Sequence, residues 1–400
     1  MKIIQITASY KPAYIYGGPI QSVAKLCEAL VSLGVREEGL AISVEGLGIH
    51  EVQVLTTTAN GQNELDIPIN KPVLVDGVSV TYFKRLTKDH SHFSPKLLWE
   101  LKKMRQTPNA KLIIHIHAWW NLVSVLSCWI ANWYKIPVVL SPRGMLTVYT
   151  QNNRNSFSKK LLHNLIGKKL LQYCHIHATS EQEKQDILKI VTPKSITVIP
   201  NLVNIKESLS SSQLTIDNND TTAFHLIFLS RIEEKKGLEL LFDVLSLLDI
   251  NWQLSIAGSG KEGYVESLKL KAENLKLNPR INWIGQVTDQ DKYNLIAKHD
   301  LLVLTSFNEN FANVVIESLS VGTPVLISDR VGLSDYVREQ QLGWVCTLEV
   351  SDIKEKLINA YHAQKVREKM KQAAPEVIRR DFNDKALAKR YLELYRRLAK

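Results

Sequence analysis

A chain of 400 residues exceeds one ordinary domain and suggests two. Its apolar share of 45% and charged share of 22% are those of a soluble globular protein, and four scattered cysteines with no CxxC pair exclude a zinc knuckle and a disulfide framework and fit a reducing cytosol. The net charge of +10 lies wholly in the first half, where residues 1–200 hold 23 Lys and Arg against 13 Asp and Glu, while residues 201–400 hold 27 of each. That imbalance points to an anionic partner of the first half: a membrane surface, a lipid phosphate or nucleic acid.

The first predicted strand, "KIIQITA", follows Met1 directly, and without a long apolar core or cleavage signature no signal peptide is expected. "YGGPIQSVAKLCEAL" then opens a helix. Gly17 and Gly18 would let the backbone approach an anion at the helix N-terminus, although a plain tight turn fits equally. Further apolar runs follow as "HEVQVLTT", "VSVTYF" and "LIIHIH". The last leads into "HIHAWW", where His115 and His117 share one strand face. No third metal ligand accompanies them; one of the pair is expected in the core, and His117, at the strand end, is expected to face a cleft. Ala118 to Leu140 is the most membrane-like stretch, but Asn121, Asn132, Lys135 and Pro137 make it a buried helix plus a strand. "NSFSKKLLHNLIGKKLL" reads as a basic amphipathic helix, either an ordinary surface helix or one lying on anionic lipid. "HIHA" recurs at His175, a local echo.

Residues 201–222 are polar and aperiodic, a domain boundary. Beyond them strand and helix patterns alternate again: "FHLIFLS", "WQLSIAG", "INWIGQV", "LLVLTS", "PVLIS" and "GWVC". The fold class is therefore α/β, with two doubly wound Rossmann-like domains facing a cleft, and the strand-to-helix loops are where chemistry is expected. In "LSRIEEKKGLELL", Arg231 and Lys236 flank a helix start and could hold a diphosphate, or belong to a solvated charged loop in which Lys235 would serve nearly as well. "TDQDK" is a DxD whose Asp289 or Asp291 is expected to N-cap the next helix rather than bind metal. No GxGxxG occurs, which disfavours a dinucleotide oxidoreductase.

"SFNENFANVVIESLSVGTPVLIS" places a short apolar helix at about 313–321, with Gly322 at its end and Pro324 beyond. Glu309 precedes this helix and Glu317 sits inside it. A buried unpaired carboxylate costs several kcal/mol, so Glu317 needs a basic side chain, backbone amides or ligand hydroxyls as partners.

These motifs together resemble the retaining glycosyltransferases of family 4, which have the GT-B fold. Glu309 and Glu317 are spaced like that family's E-x7-E signature. "SRIEEKKGLELL" is similar to its phosphate-binding element and "GGPIQSVAKLCEAL" to its glycine loop, while "HIHAWW", "SPRGML", "HATSEQE" and "VIPN" fall in family order. The resemblance runs from Lys2 to about Tyr395. It implies a nucleotide-sugar donor, a UDP- or GDP-sugar, with Arg231 and Lys236 on the diphosphate, Glu317 on the ribose hydroxyls and Glu309 on the transferred sugar. Gly18, Asn310, Phe311, Ala312 and Asn313 would also touch the donor, and His117 would reach the sugar. Gly18 and Arg143 are acceptor candidates. His117, Glu309, Arg231 and Lys236 are the expected catalytic set, with no metal and no other cofactor. The implied domains are 1–203 for the acceptor, 204–378 for the donor, and 379–400 as a helix crossing back to the first.

Departures from the pattern are Ala312 where Gly is frequent, Leu202 and Asn204 in "NLVN", Asn383 where Trp is common, and an insert at 35–49. As a helix-to-strand connection the insert is expected at the edge opposite the ligand side, and to be neutral for catalysis. The implied partners are a glycan or lipid-linked glycan acceptor and an anionic membrane on the cytoplasmic side. Competing readings are a GT-B sugar-nucleotide epimerase, a binding protein with a dead site, and a nucleic-acid binder, the last unsupported by any aromatic-interleaved basic stripe.

Overall fold

The computed structural model describes residues 1–38, 51–104, 111–147, 167–206 and 223–399. Most of the 35–49 insert, the basic stretch 155–166 and residues 207–222 of the expected boundary lie outside them. Two compact units form: Met1–Val203 with Phe382–Lys400, and Asn204–Asp381.

Unit 1 runs β1 (Lys2–Ile6), α1 (Gly18–Glu38), β2 (Glu51–Thr57), a small hairpin of β3 (Ala59–Asn60) and β4 (Asn63–Glu64), β5 (Pro72–Val75), β6 (Val78–Phe83) and α2 (Pro95–Met104). It continues through β7 (Leu112–His117), α3 (Leu122–Trp133), β8 (Val138–Ser141), α4 (Lys168–Tyr173), β9 (His175–Ala178), α5 (Glu181–Leu188) and β10 (Ser195–Val198). Eight strands form one sheet in the order β10-β9-β8-β7-β1-β2-β6-β5. Central β1 pairs in parallel with β2 and β7, setting Ile4 opposite Gln53 and Ile114. The exception to parallel pairing is the edge strand β5, antiparallel to β6. Its four residues alternate half-buried and exposed, the pattern of an edge strand rather than of a buried central one. The membrane-like stretch resolves into α3, N-capped by Asn121, and the buried β8. No described helix is long and apolar enough to cross a membrane.

Unit 2 runs β11 (Phe224–Leu229), α6 (Leu238–Leu245), β12 (Trp252–Ala257), α7 (Glu262–Asn274), β13 (Ile281–Gly285), α8 (Asp289–Ala297) and β14 (Leu301–Leu304). Then follow α9 (Asn313–Ser320), β15 (Val325–Ser328), α10 (Ser334–Gln340), β16 (Gly343–Cys346), α11 (Val350–His362) and α12 (Gln364–Asp381). Its six strands are all parallel, in the order β13-β12-β11-β14-β15-β16. Central strands such as "LLVL" are buried on both faces, which explains their unbroken apolar runs.

The last helix, α13 (Asp384–Leu398), belongs to unit 1. Asn383 caps it, its side chain accepting from the Ala386 amide. The helix docks through a buried polar seam. His115 on β7 and His177 on β9 both bond the Ser141 hydroxyl of the strand between them, at 2.7 and 2.6 Å. Tyr395 reaches His115 at 2.7 Å and Tyr391 reaches His177 at 2.9 Å. The bonded pair is the first histidine of one "HIHA" and the second of the other, so the two copies are not used equivalently. Burial forces these imidazoles neutral: His177 falls from 6.5 to about 3, and His115 and His117 fall well below their usual value.

Each of these histidines binds a proton more readily when unfolded, so their contribution to stability is complete above the unfolded value and is lost as pH falls below it. Urea unfolding at pH 5 should show a loss of about 2 kcal/mol per buried histidine relative to pH 7. His177→Gln should shrink that pH dependence; equal dependence in the variant would contradict the assignment.

Candidate functional site

Open parallel sheets bind ligands beyond the carboxyl ends of their strands, where strand order reverses. In unit 2 that reversal lies between β11 and β14. The loops leaving these two strands carry Arg231 and Lys236 on one side and Glu309 on the other, so topology alone makes them neighbours.

Local geometry locks the loops together. Gly237 has φ +71°, and a Cβ there would stand 2.1 Å from the Thr305 carbonyl oxygen. The Thr305 hydroxyl donates to the Gly237 carbonyl at 2.9 Å, and the Phe307 amide donates to the Lys235 carbonyl at 2.8 Å. On the other flank Gly258, at φ +137°, lets its loop lie against Ser230, whose carbonyl oxygen would be 1.9 Å from a Cβ. Glu309 is fixed by its own backbone, donating to Arg330 at 3.1 Å and accepting from Gly332 at 2.8 Å.

The side chains follow. Lys236 is 5% exposed and its ammonium bonds the Glu309 carboxylate. Burial pushes the Glu309 carboxyl up, but Lys236, Lys235 and Arg231 outweigh burial and hold it below its usual value. Arg231 stays at the surface, 2.7 Å from Glu233, and Lys235 pairs more loosely with the same carboxylate at 3.6 Å. Of the two lysines that the sequence leaves interchangeable, Lys236 is the one aimed inward.

Asn310, Phe311, Ala312 and Asn313 form the entry to α9. Ala312 stands at the N-cap position in the left-handed conformation, φ +65° and ψ +75°, and supplies no side-chain cap. This backbone explains a preference for glycine there. One turn on, Glu317 is 4% exposed. Its partner is Lys292 of α8, 2.8 Å away, which also lies 3.1 Å from Asp289. Burial lifts the Glu317 carboxyl above its usual value against the pull of Lys292, and Lys292 is itself held above its usual value, its two carboxylates overcoming burial. Of the three kinds of partner open to Glu317 from the sequence, a basic side chain, backbone amides or ligand hydroxyls, the structure supplies the first, Lys292. The "TDQDK" stretch that hides Lys292 also corrects the cap assignment: Thr288 caps α8, accepting from the Asp291 amide, and Asp289 and Asp291 lie in its first turn.

In unit 1 the strand order reverses between β1 and β7. Gly17, at φ +69° and ψ −141°, turns the chain into α1, which Gly18 opens. His117 ends β7, but its ring is buried rather than open, at 1% exposure. Nε2 lies 2.7 Å from Gln5 Oε1, and Nδ1 accepts from Arg143 at 3.3 Å, an arrangement that suits the neutral ring. Arg143 adopts φ +53° and also donates to Ser22 and Asn201 at 2.8 and 3.1 Å, while its buried Nε has no hydrogen-bond partner among the described residues. Buried Glu183, which sequence reasoning passed over, holds this loop by accepting from the Gly144 and Thr179 amides, both at 2.7 Å.

Two stability consequences follow from unit 2. Lys292→Met leaves Glu317 buried and unpaired and should cost about 3–5 kcal/mol in denaturant unfolding, with most of the loss recovered in Lys292→Met/Glu317→Gln. Ala312→Gly should stabilise by about 1 kcal/mol, because left-handed backbone strain is relieved; a destabilised variant would mean that the Ala312 methyl contributes more through packing than it costs in strain.

Residues 211–377 match the family model described as "Glycosyl transferases group 1", and residues 16–207 match that described as "Glycosyltransferase Family 4". An uncharacterized glycosyltransferase of Methanocaldococcus jannaschii is 26% identical over 86% of this chain and 85% of its own. The lipopolysaccharide 1,6-galactosyltransferase of Escherichia coli is 29% identical over 41% of this chain and 45% of its own. The crystal structure of Anabaena HepE in complex with UDP and glucose shares the fold, with a TM-score of 0.72 at 18% identity over 99% of both chains. The two family models meet end to end over two Rossmann-like units, and the chain belongs to the group 1, family 4 glycosyltransferases of GT-B fold.

Proposed function

We propose that this glycosyltransferase moves a sugar, with retention of anomeric configuration, from a UDP- or GDP-sugar to a glycan acceptor carried on a lipid, in the synthesis of a surface polysaccharide at the cytoplasmic face of the membrane. The observation that carries the donor half is the buried Lys236–Glu309 pair at the strand-order reversal of unit 2, set at the entry to α9. A cation beside an ionised carboxylate suits a substrate that brings a diphosphate and sugar hydroxyls together. Lys236 and Arg231 take the diphosphate charge as it develops on the leaving group. Glu309 accepts from a hydroxyl of the transferred sugar, Glu317 from the ribose, and the backbone at Asn310, Phe311, Ala312 and Asn313 lines the sugar and phosphates.

Unit 1 is the acceptor unit in this reading, with Gly18 and Arg143 at its ligand end. His117 orients the Arg143 guanidinium; direct contact with sugar would require its ring to give up one of its two bonds. The acceptor hydroxyl attacks from the face that the diphosphate leaves, and the departing diphosphate takes its proton, so neither glutamate need act as a base. The UDP-complexed structural relative and the lipopolysaccharide galactosyltransferase relative support the donor class and the acceptor class respectively.

The test is a panel of nucleotide sugars, read by thermal shift and by turnover with and without EDTA. One nucleotide base should stabilise the protein, and turnover should survive EDTA. Glu309→Ala and Lys236→Ala should each cut turnover at least about tenfold, the scale of one lost transition-state contact. Full activity in either folded variant removes its assigned role, and donor conversion without acceptor would mark an epimerase instead.

A further inference from the structure

One face of unit 1 carries aromatic side chains that neither the fold nor the candidate site uses. α2 and α3 bury Leu97, Leu101, Val123 and Cys128 in the same core cluster as Ile114 and Ile116 of β7. The two helices therefore cover the same side of the sheet and turn their other faces to solvent. On those faces Trp99 is 47% exposed, Trp129 48% and Trp133 71%. Trp129 and Trp133 stand one turn apart on α3 with ring centroids 6.0 Å apart. Trp99 is flanked by two ammonium groups, Lys103 at 3.5 Å and Lys96 at 4.6 Å from its ring centroid.

Three exposed indoles on adjoining helices are more apolar surface than folding alone explains, and indole is the side chain most at home between hydrocarbon and water. The surrounding charge selects the occupant. α3 has no charged residue, α2 carries three lysines and one glutamate, and α4, which packs on α3, adds exposed Lys168 and Lys169 with no acid. Five lysines face one carboxylate over the three helices, so the apolar strip lies in a positive field, complementary to an anionic headgroup layer.

We infer that the outer face of α2 and α3 is the surface by which this protein docks on an anionic bilayer, with Trp99, Trp129 and Trp133 entering the headgroup region and the flanking lysines pairing with lipid phosphate. This extends the proposed use of a lipid-borne acceptor by naming the surface that meets the lipid, and its test involves neither donor nor acceptor. The full chain is sedimented with sucrose-loaded vesicles of phosphatidylglycerol and phosphatidylethanolamine, and with vesicles of phosphatidylcholine alone. Binding is expected to the anionic vesicles only and to weaken at least about tenfold in half-molar salt, where screening shortens the reach of charge. The triple variant Trp99→Ala/Trp129→Ala/Trp133→Ala should lose binding at least about tenfold, and Lys96→Glu/Lys103→Glu, which keeps every indole, should lose it too. Thermal shift with the nucleotide sugar should be the same in all three proteins, separating failure of docking from failure of the donor site. Wild-type protein that ignores anionic vesicles, or a triple variant that binds like wild type, overturns the inference. So does a dimer, seen by light scattering, that the triple variant abolishes while no vesicle binding occurs.

Discussion

A carboxylate placed inside a protein must be answered by a positive charge or by several donors, and the site in unit 2 is organised by that requirement. Glu309 and Glu317 bracket the start of α9, and neither can reach bulk water freely. Each is answered by a lysine from a different element: Lys236 from the loop after β11 and Lys292 from α8. One pair ties the loop before α9 to the loop after β11, and the other ties α9 to α8. They also leave the local charge close to balanced, with each lysine held in place by its carboxylate.

The strand runs could be read directly because parallel strands buried on both faces must be continuously apolar. β5 was not, since an antiparallel edge strand alternates and begins with a proline. The position of Glu309 and Glu317 relative to α9 was readable too, because a glycine after the helix and a proline beyond mark its end. Their partners were not. Lys292 lies 25 residues upstream of Glu317 in a stretch dominated by acidic residues, and only the packing of α8 on α9 reveals it. Ala312 is a similar case: its left-handed backbone is invisible in the letters "FAN", although it accounts for the family's preference for glycine.

The histidines show how sheet order joins residues distant in sequence. The two "HIHA" stretches stand on strands either side of β8, though they use different positions of the repeat. His115, Ser141 and His177 then form a row of polar groups inside the sheet, each needing a partner on the next. The tyrosines of α13 complete the row, so the chain's final helix belongs to unit 1 although the whole of unit 2 intervenes in sequence. The strand-end position of His117 suggested an open face, but the ring is buried, with Gln5 on Nε2 and Arg143 on Nδ1.

The uneven charge along the chain follows from the same physics. In unit 2 the site's cations are largely spent on internal carboxylates, and the half of the sequence that contains it is neutral overall. In unit 1 the lysines of α2 and α4 are opposed within those helices by Glu100 alone, and Lys96 and Lys103 stand over the exposed Trp99 ring. An ammonium over an aromatic ring keeps its charge available to solvent while its carbon stem covers apolar surface. Such a face gains little from remaining in water and much from a layer that is apolar beneath and anionic above. Of the chain's excess of +10, α2 and α4 concentrate +4, five lysines against one glutamate, on this one surface.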